Sequence, residues 1–305
     1  MANYPSGDFV IQSEVKTAGF VPAVWSDEIV AAYKKNLVVA NLMKKMNFKG
    51  KKGDTVYFPA PVRGSAAAKV VETAVTMQQE TGTQITVSID KHYEYSRMIE
   101  DLAEVQALSS LRRFYTDDAG YALATRIDTD LLGLTSKAQG GSGTTAFNKA
   151  VLGGDGSTNY VAASNNESAL TDAGIRKVIQ TLDDQDVPMD GRFLVIPPVA
   201  RNTLLGLARF TEQAFVGNGT AITSGNIGNI YGTSVYVSTN CPTASGGARI
   251  AVMAHPEYGV LVEQTGVRVQ TQYKQEYLGD LFTADTLFGV KELRDGSAVA
   301  LAVPA

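Results

Sequence analysis

From residue 98 to residue 137 the apolar residues return at helical spacing for longer than anywhere else in the chain. Ile99, Leu102, Val105, Leu108 and Leu111 step by three, and Phe114, Ala122, Ile127, Leu131 and Leu134 carry the face onward. Ser109-Ser110 divides the run into a short helix and a long one of about 28 residues, roughly 42 Å at the usual rise. A helix of that length exceeds the ordinary three turns and serves as a beam against which other elements must pack. Arg113 with Asp117, and Arg126 with Asp130, are i,i+4 pairs on its polar side, each worth roughly a few tenths of a kcal/mol.

The chain ahead of the beam is extended. Residues 1 to 23 mix Pro5, Gly7, Pro22 and small polar residues without a period, as in a segment that reaches across another surface. Ser26-Asp27-Glu28 is a helix start, with a capping serine and two acids in the first turn. Trp25, Ile29, Tyr33 and Leu37 step by four, and Lys44 and Lys45 offer a closing charge, so the spacing predicts a helix over 27–46. Asp54 to Pro61 reads as a strand stopped by prolines, and Gln84 to Asp90 alternates, with His92 to Ser96 prolonging the alternation. The excursion between them, 62–82, is small, polar and poor in aromatics. Two strands joined in this way predict a projecting two-stranded arm, which is marginally stable alone and needs something to lie on.

Behind the beam, residues 138–167 are rich in Gly, Ser, Thr and Asn and mark the clearest internal boundary. A helix is expected from Thr171-Asp172, a buried strand over 192–196 and a helix over 199–209. A loop is expected over 216–232, with short strands at 234–238 and 248–254. The last stretch reads as an antiparallel meander of strands at 267–277, 282–293 and 297–303, with Asp295-Gly296 as a hairpin turn between the last two.

Chemistry-bearing patterns are missing. No G-x-S-x-G, H-E-x-x-H or G-x-x-x-x-G-K-[ST] occurs, and the glycine loops 140–143 and 153–158 lack the lysine and helix start that phosphate binding needs. One cysteine, Cys241, excludes an intramolecular disulfide framework and a cysteine zinc cluster, and reads as inert. His92 and His255 lie too far apart in sequence to form a ligand pair, and His255 reads as packing or capping a turn. Asp183, Asp184, Asp186 and Asp190 cluster without EF-hand spacing and read as a solvated helix end. No catalytic residue, cofactor or metal site is expected. No run approaches a membrane span and no signal peptide is legible, so the chain reads as a soluble intracellular protein.

The sharpest charge feature is Lys34, Lys35, Lys44, Lys45, Lys49, Lys51 and Lys52, with no acid between Glu28 and Asp54, although the whole chain carries a net charge of −4. Two readings stand side by side: a patch facing nucleic acid or an acidic partner, and a solvated helix face and turn. The lysines lack the arginine and aromatic companions of base recognition.

The order of these segments resembles a known family. Lys52-Gly53-Asp54-Thr55-Val56-Tyr57-Phe58-Pro59 resembles the strand entering the extended loop of the major capsid proteins of tailed phages, the Hong Kong 97 type of fold. Asp118 to Asp130 is similar to its spine helix, and Gly228 to Val237 to a turn and strand of its axial domain. Phe282 to Val290 and Arg294 to Val299 resemble strands returning to its peripheral domain. The resemblance covers nearly the whole chain.

It implies an α+β fold with an N-terminal arm at 1–23, a helix region at 24–53, an extended β loop at 54–96 and a peripheral domain with the spine helix at 97–169. An axial domain at 170–260 and C-terminal strands at 261–305 complete it. The implied function is that of a non-enzymatic coat subunit in hexamers and pentamers of an icosahedral head, located in the virion after assembly in the host bacterial cytoplasm. The implied partners are copies of itself, a separate scaffolding protein, a portal, a decoration protein and non-specifically bound packaged DNA, with no membrane. Contacts to a neighbour or to DNA would involve the lysines above together with Arg63 and Lys69. Lys69 sits in the loop, but nothing picks a cross-linking partner for it. An encapsulin-like compartment shell and a soluble α+β enzyme are the alternatives.

Overall fold

The computed structural model describes residues 38–60, 64–66, 68–75, 77, 82–100, 111–136, 151–158, 160–161, 164, 166–207, 228–244 and 246–305. These residues build two sheets, a separate two-stranded ribbon and four helices. In chain order the elements are α1 (Val39–Leu42), β1 (Lys44–Asn47), β2 (Thr55–Ala60), β3 (Thr83–Ser88), β4 (Lys91–Glu100) and α2 (Leu111–Ser136). There follow β5 (Val151–Gly153), α3 (Asp172–Asp183), β6 (Phe193–Ile196), α4 (Pro198–Leu205), β7 (Asn229–Ile230) and β8 (Thr233–Val237). The last four are β9 (Arg249–Ala254), β10 (Gly259–Lys274), β11 (Gly279–Glu292) and β12 (Ala298–Val303).

The first sheet has the order β1-β10-β11-β4 and is organised by the long hairpin β10–β11. Helix α2 lies on one face. Its Ala119 and Leu123 meet Phe282 and Ala284, and Ile127 and Leu131 continue the step of four, with Leu134 three further on, into a larger core with Leu261 and Phe288. Alternation of side chains across a strand explains the opposite face, where Val260 and Val262 pack on Val87 and Ile89 at the foot of the β2–β3 ribbon. Polar groups tie β4 to the helix: Tyr93 Oη donates to Asp130 Oδ2 at 3.0 Å, and Tyr95 Oη donates to Asp118 Oδ2 at 2.9 Å.

The second sheet has the order β5-β12-β9-β6-β8-β7. Strand β6 is Phe-Leu-Val-Ile with every residue buried on both faces, which accounts for its unbroken apolar run. Full burial of each such side chain is worth about 1.5–3 kcal/mol. Thr171 caps α3 by accepting from Gly174 N at 3.1 Å, and Ile175, Val178 and Leu182 face the sheet. Tyr231 and Gly232 both take positive φ in the two-residue turn joining β7 to β8, the geometry that suits a tight hairpin. Apolar residues of both sheets, α1 and the second half of α2 merge into one core.

Several expectations change. The 27–46 helix is overturned at its end: α1 stops at Leu42, Met43 is extended, and Lys44 and Lys45 begin β1, parallel to Val260 and Leu261 of β10. Pairing with β10 and burial of Met46 against the ribbon's foot outweigh the helical spacing there; residues 27–37 lie outside the described residues. Alternation over 84–96 belongs to two strands. The chain leaves the ribbon at Ile89-Asp90 and enters the first sheet as β4, which also takes Met98 and Ile99 out of the expected helix. Residues 101–110, and so the break at Ser109-Ser110, lie outside the described residues. Helix α2 has 26 residues, close to the length expected.

Asp295-Gly296 is not a hairpin turn. It forms a short 3-10 turn that carries the chain out of the first sheet, so β12 pairs with β9 and β5 rather than β11. Strand β5, hidden in the glycine-rich boundary, exists because β12 offers it an edge. The helix expected over 199–209 ends earlier, at Leu205, where Gly206 closes it.

Candidate assembly surfaces

Strands β2 and β3 pair over Thr55↔Ser88 to Ala60↔Thr83 and, among the described residues, with nothing else. The foot of the ribbon is anchored by Val56, Phe58, Val87 and Ile89. Beyond the last pair, where Thr83 Oγ1 donates to Ala60 O at 2.7 Å, every described residue is exposed. Val71 is 84% exposed and Met77 93%, with Val70 and Val75 beside them. Apolar side chains displayed on a thin ribbon have no core of their own to enter, which marks an interaction surface.

The lysines lie at the foot of this ribbon. Lys44 and Lys45 occupy the outer strand of the first sheet, and Lys49, Lys51 and Lys52 the turn after it. That turn is fixed: Phe48 N donates to Glu263 O at 2.8 Å, and Gln264 Nε2 donates to both Lys51 O and Gly53 O at 3.0 Å. Gly50 and Gly53 take its positive φ angles. Among the described residues none of the five lysines enters an ion pair. Lys69 is exposed in the excursion beyond the paired strands, away from this cluster in the chain. Lys34, Lys35 and Arg63 lie outside the described residues.

A third surface escapes sequence reasoning. Beyond Thr265 the β10–β11 hairpin continues past β1, with Val267, Val269, Tyr273, Tyr277 and Leu278 exposed. At its root the pairing is irregular between Glu263 and Arg268, and it is held there by Arg268, Asp285 and His92. Valines alternating with Arg268 and Gln270 were the available signal, because strands buried on one face read the same way.

Catalytic chemistry finds no footing among the described residues. Cys241 is buried, and burial pushes its thiol up to about 12, far from a usable thiolate. His255 Nδ1 accepts from Glu257 N at 3.3 Å, a turn-capping contact. Asp183 pairs with Arg192 at 2.7 Å, and among the described residues no group of three His, Cys, Asp or Glu could hold a metal. The 153–158 loop closes on itself. Ser157 Oγ donates to Asp155 Oδ2 at 2.7 Å, and that hydrogen bond leads the effects lowering the Asp155 carboxyl to about 2. A solvent-open polar pocket of about 270 Å³ lies between Asp186, His255, Glu257 and Arg294, crossed by a Glu257–Arg294 ion pair at 3.5 Å. No helix among the described residues is long and apolar enough to cross a membrane.

A sequence-family model described as phage capsid protein matches residues 84–300, well over half of the chain. The chain belongs to the phage capsid protein family. Solved structures show the same fold. The capsid protein is similar to a chain from the cyanophage P-SCSP1u capsid at 18% identity, with 99% of each chain covered and a TM-score of 0.76. It is similar to a chain from Mycobacterium phage Che8 at 22% identity, covering 92% of this chain and 97% of that one, with a TM-score of 0.72. A capsid chain of Ralstonia phage GP4 matches at 18% identity over 98% of each chain, with a TM-score of 0.65. No curated protein sequence matches it. The capsid protein therefore has the α+β Hong Kong 97 type of fold, is a major capsid protein of the virion's head shell, and works through association with copies of itself.

Proposed function

We propose that the chain is a non-enzymatic coat subunit whose copies form the hexamers and pentamers of an icosahedral phage head. The observation that carries this reading is the β2–β3 ribbon, anchored at its foot and, among the described residues, exposing Val70, Val71, Val75 and Met77 beyond it. In the proposed arrangement the extended loop, the part of 54–96 that precedes β4, lies over a neighbouring subunit and the N-terminal arm, 1–23, crosses to another. The axial domain, 170–260, meets its copies around the capsomer centre. The peripheral region, α2 with β10 and β11, forms the flank, whereas β12 and β5 lie with β9 and β6 in the second sheet. A contact that differs on the two partners closes into a ring when the rotation is right, which suits one chain carrying unlike surfaces.

A separate scaffolding protein, a portal, a decoration protein and non-specifically held DNA are further proposed partners. The exposed Lys44, Lys45, Lys49, Lys51, Lys52 and Lys69, with Lys34, Lys35 and Arg63, would face a neighbour's acidic surface or the packaged DNA. No observation favours the compartment shell or the enzyme. Negative-stain microscopy of the expressed chain, with and without a co-expressed scaffolding protein, tests the reading. Closed shells of uniform size are expected, and a compact monomer under every condition overturns it. Lys49→Glu with Lys51→Glu and Lys52→Glu separates the two lysine partners: lost assembly identifies a neighbour, and intact shells holding less DNA identify the genome.

A further inference from the structure

Asp128 lies in α2 beside the apolar stripe, and it is completely buried. Among the described residues no cation pairs with it. Its Oδ1 accepts from Val39 N at 2.8 Å and from Ala40 N at 3.3 Å, and its Oδ2 accepts from Asn240 Nδ2 at 3.2 Å. The donors come from the approaches to different sheets. Val39 and Ala40 open α1, which leads through Met43 into β1 of the first sheet. Asn240 stands between β8 and β9 of the second.

The chain crosses between the sheets directly at two places, from β9 into β10 and from β11 into β12. The crossings run side by side: Leu293 N donates to Tyr258 O at 2.7 Å, and His255 N donates to Ser297 O at 2.9 Å. Two adjacent crossings define a line about which the sheets can swing. The core between the sheets resists separation, but apolar attraction is non-directional and tolerates sliding. Hydrogen bonds do not tolerate it, because they weaken steeply once distance and angle are lost. Asp128 thus supplies a directional contact to both sides that belongs to neither crossing. No cation among the described residues pairs with this buried acid, and a well-packed apolar residue of similar size is often the more stable choice, so stability is a poor reason for an acid here.

We infer that Asp128 is a positioning residue that fixes the angle between the two sheets and thereby the curvature of the shell built from them. The inference rests on the shell-forming reading above and deepens it. A rigid hydrogen-bonded joint gives every subunit one shape. A loosened joint lets subunits adopt several, and the particle diameter records which.

The test measures shell diameter and melting temperature together for wild type, Asp128→Leu, Asn240→Leu and the swap Asp128→Asn with Asn240→Asp. Asp128→Leu removes the acceptor of all three bonds. Asn240→Leu leaves the bonds to Val39 and Ala40 intact, and so reports even where Asp128→Leu does not fold. In the swap the new amide oxygen accepts from Val39 and Ala40, and its nitrogen donates to the new carboxylate. Single variants should give mis-sized, mixed or open shells, with the uniform wild-type diameter restored in the swap. Wild-type diameters in the single variants, with only a lower melting temperature, overturn the inference, as does a swap that restores nothing. Absence of shells from wild type itself overturns the underlying reading and is seen before any variant is compared.

Discussion

Arg268 and Asp285 are register partners across β10 and β11, and Arg268 Nε donates to Asp285 Oδ1 at 2.7 Å where the ladder regains its pairing. The Arg268 hydrogen bond is the leading reason that the Asp285 carboxyl titrates below its ordinary value. Partial desolvation opposes it, and a hydrogen bond to His92 reinforces it. A carboxyl depressed by folding contributes stability that is fully present above its unfolded pKa of about 3.9, and that is lost as pH falls through the lower folded value. Asp285→Asn should lower Tm at pH 7 by about 1–2 °C, the shift expected for roughly 1 kcal/mol in a chain of 305 residues. Its Tm should also fall less than that of wild type as pH drops from 4 towards 2. Parallel Tm-against-pH curves for the two proteins would remove this role.

Gly174 opposes two effects of known size. In a helix interior alanine gains about 1 kcal/mol over glycine. Here, however, a Cβ would stand 2.1 Å from Gly154 O, a backbone atom held by Thr171 N donating to the same oxygen at 3.1 Å. Overpacking of this kind typically costs about 1–3 kcal/mol, so the clash wins. Gly174→Ala should shift the urea midpoint downwards, and an upward shift would show that the 153–158 loop moves freely.

Arg192 is 3% exposed and carries three partners: Val187 O at 2.6 Å, Pro188 O at 2.9 Å and Asp183 at 2.7 Å. Asp183 itself is 37% exposed and can turn to water. The two ends of this pair should therefore respond unequally. Arg192→Met should cost about 2 kcal/mol by stranding the buried Val187 carbonyl, and Asp183→Asn should cost about 1 kcal/mol or less. Equal losses in chemical denaturation would mean that the ion pair, rather than the capping of the 187–188 carbonyls, dominates.

Cys241 provides a probe of global opening. With its thiol pushed up to about 12 by burial, it should resist a chromogenic disulfide reagent at pH 8 in the native protein and react at once in denaturant. Rapid labelling of the native chain would contradict the packing of the 238–244 segment against α2 and β9.

What the sequence made legible follows from which contacts are local. Helix α2 was visible because its apolar spacing persists over many turns, although the buried face runs through Ala119 and Leu123 rather than Ala122 before it reaches Ile127 and Leu131. The β2–β3 ribbon was visible because Ile85 and Val87 alternate with polar residues, although Pro59, read as a stop, pairs with Gln84 inside β2. The N-cap at Thr171 lies within three residues of its donor. Lys44 and Lys45 misled because two cations at a helix end and two cations on a sheet edge look alike, and the decision lay with β10, more than two hundred residues away. The Asp295-Gly296 turn misled for a related reason: turn chemistry specifies a bend but not which sheet receives the next strand. Asp128 did leave a mark, an acid beside Ile127 and Leu131, but its partner Asn240 could be found only in three dimensions.

Strand β12 sits in the second sheet between β5, made some 150 residues earlier, and β9. Until residues 298–303 leave the ribosome, β5 has no parallel neighbour and β9 keeps an open side. Long-range pairings of this kind form late and slowly. A nascent or prematurely terminated chain can build α2, yet it cannot finish the sheet that Asn240 and the 255–258 crossing depend on. Competence to join a lattice thus waits for β12, which keeps half-made subunits out of a structure that one ill-fitting copy could spoil.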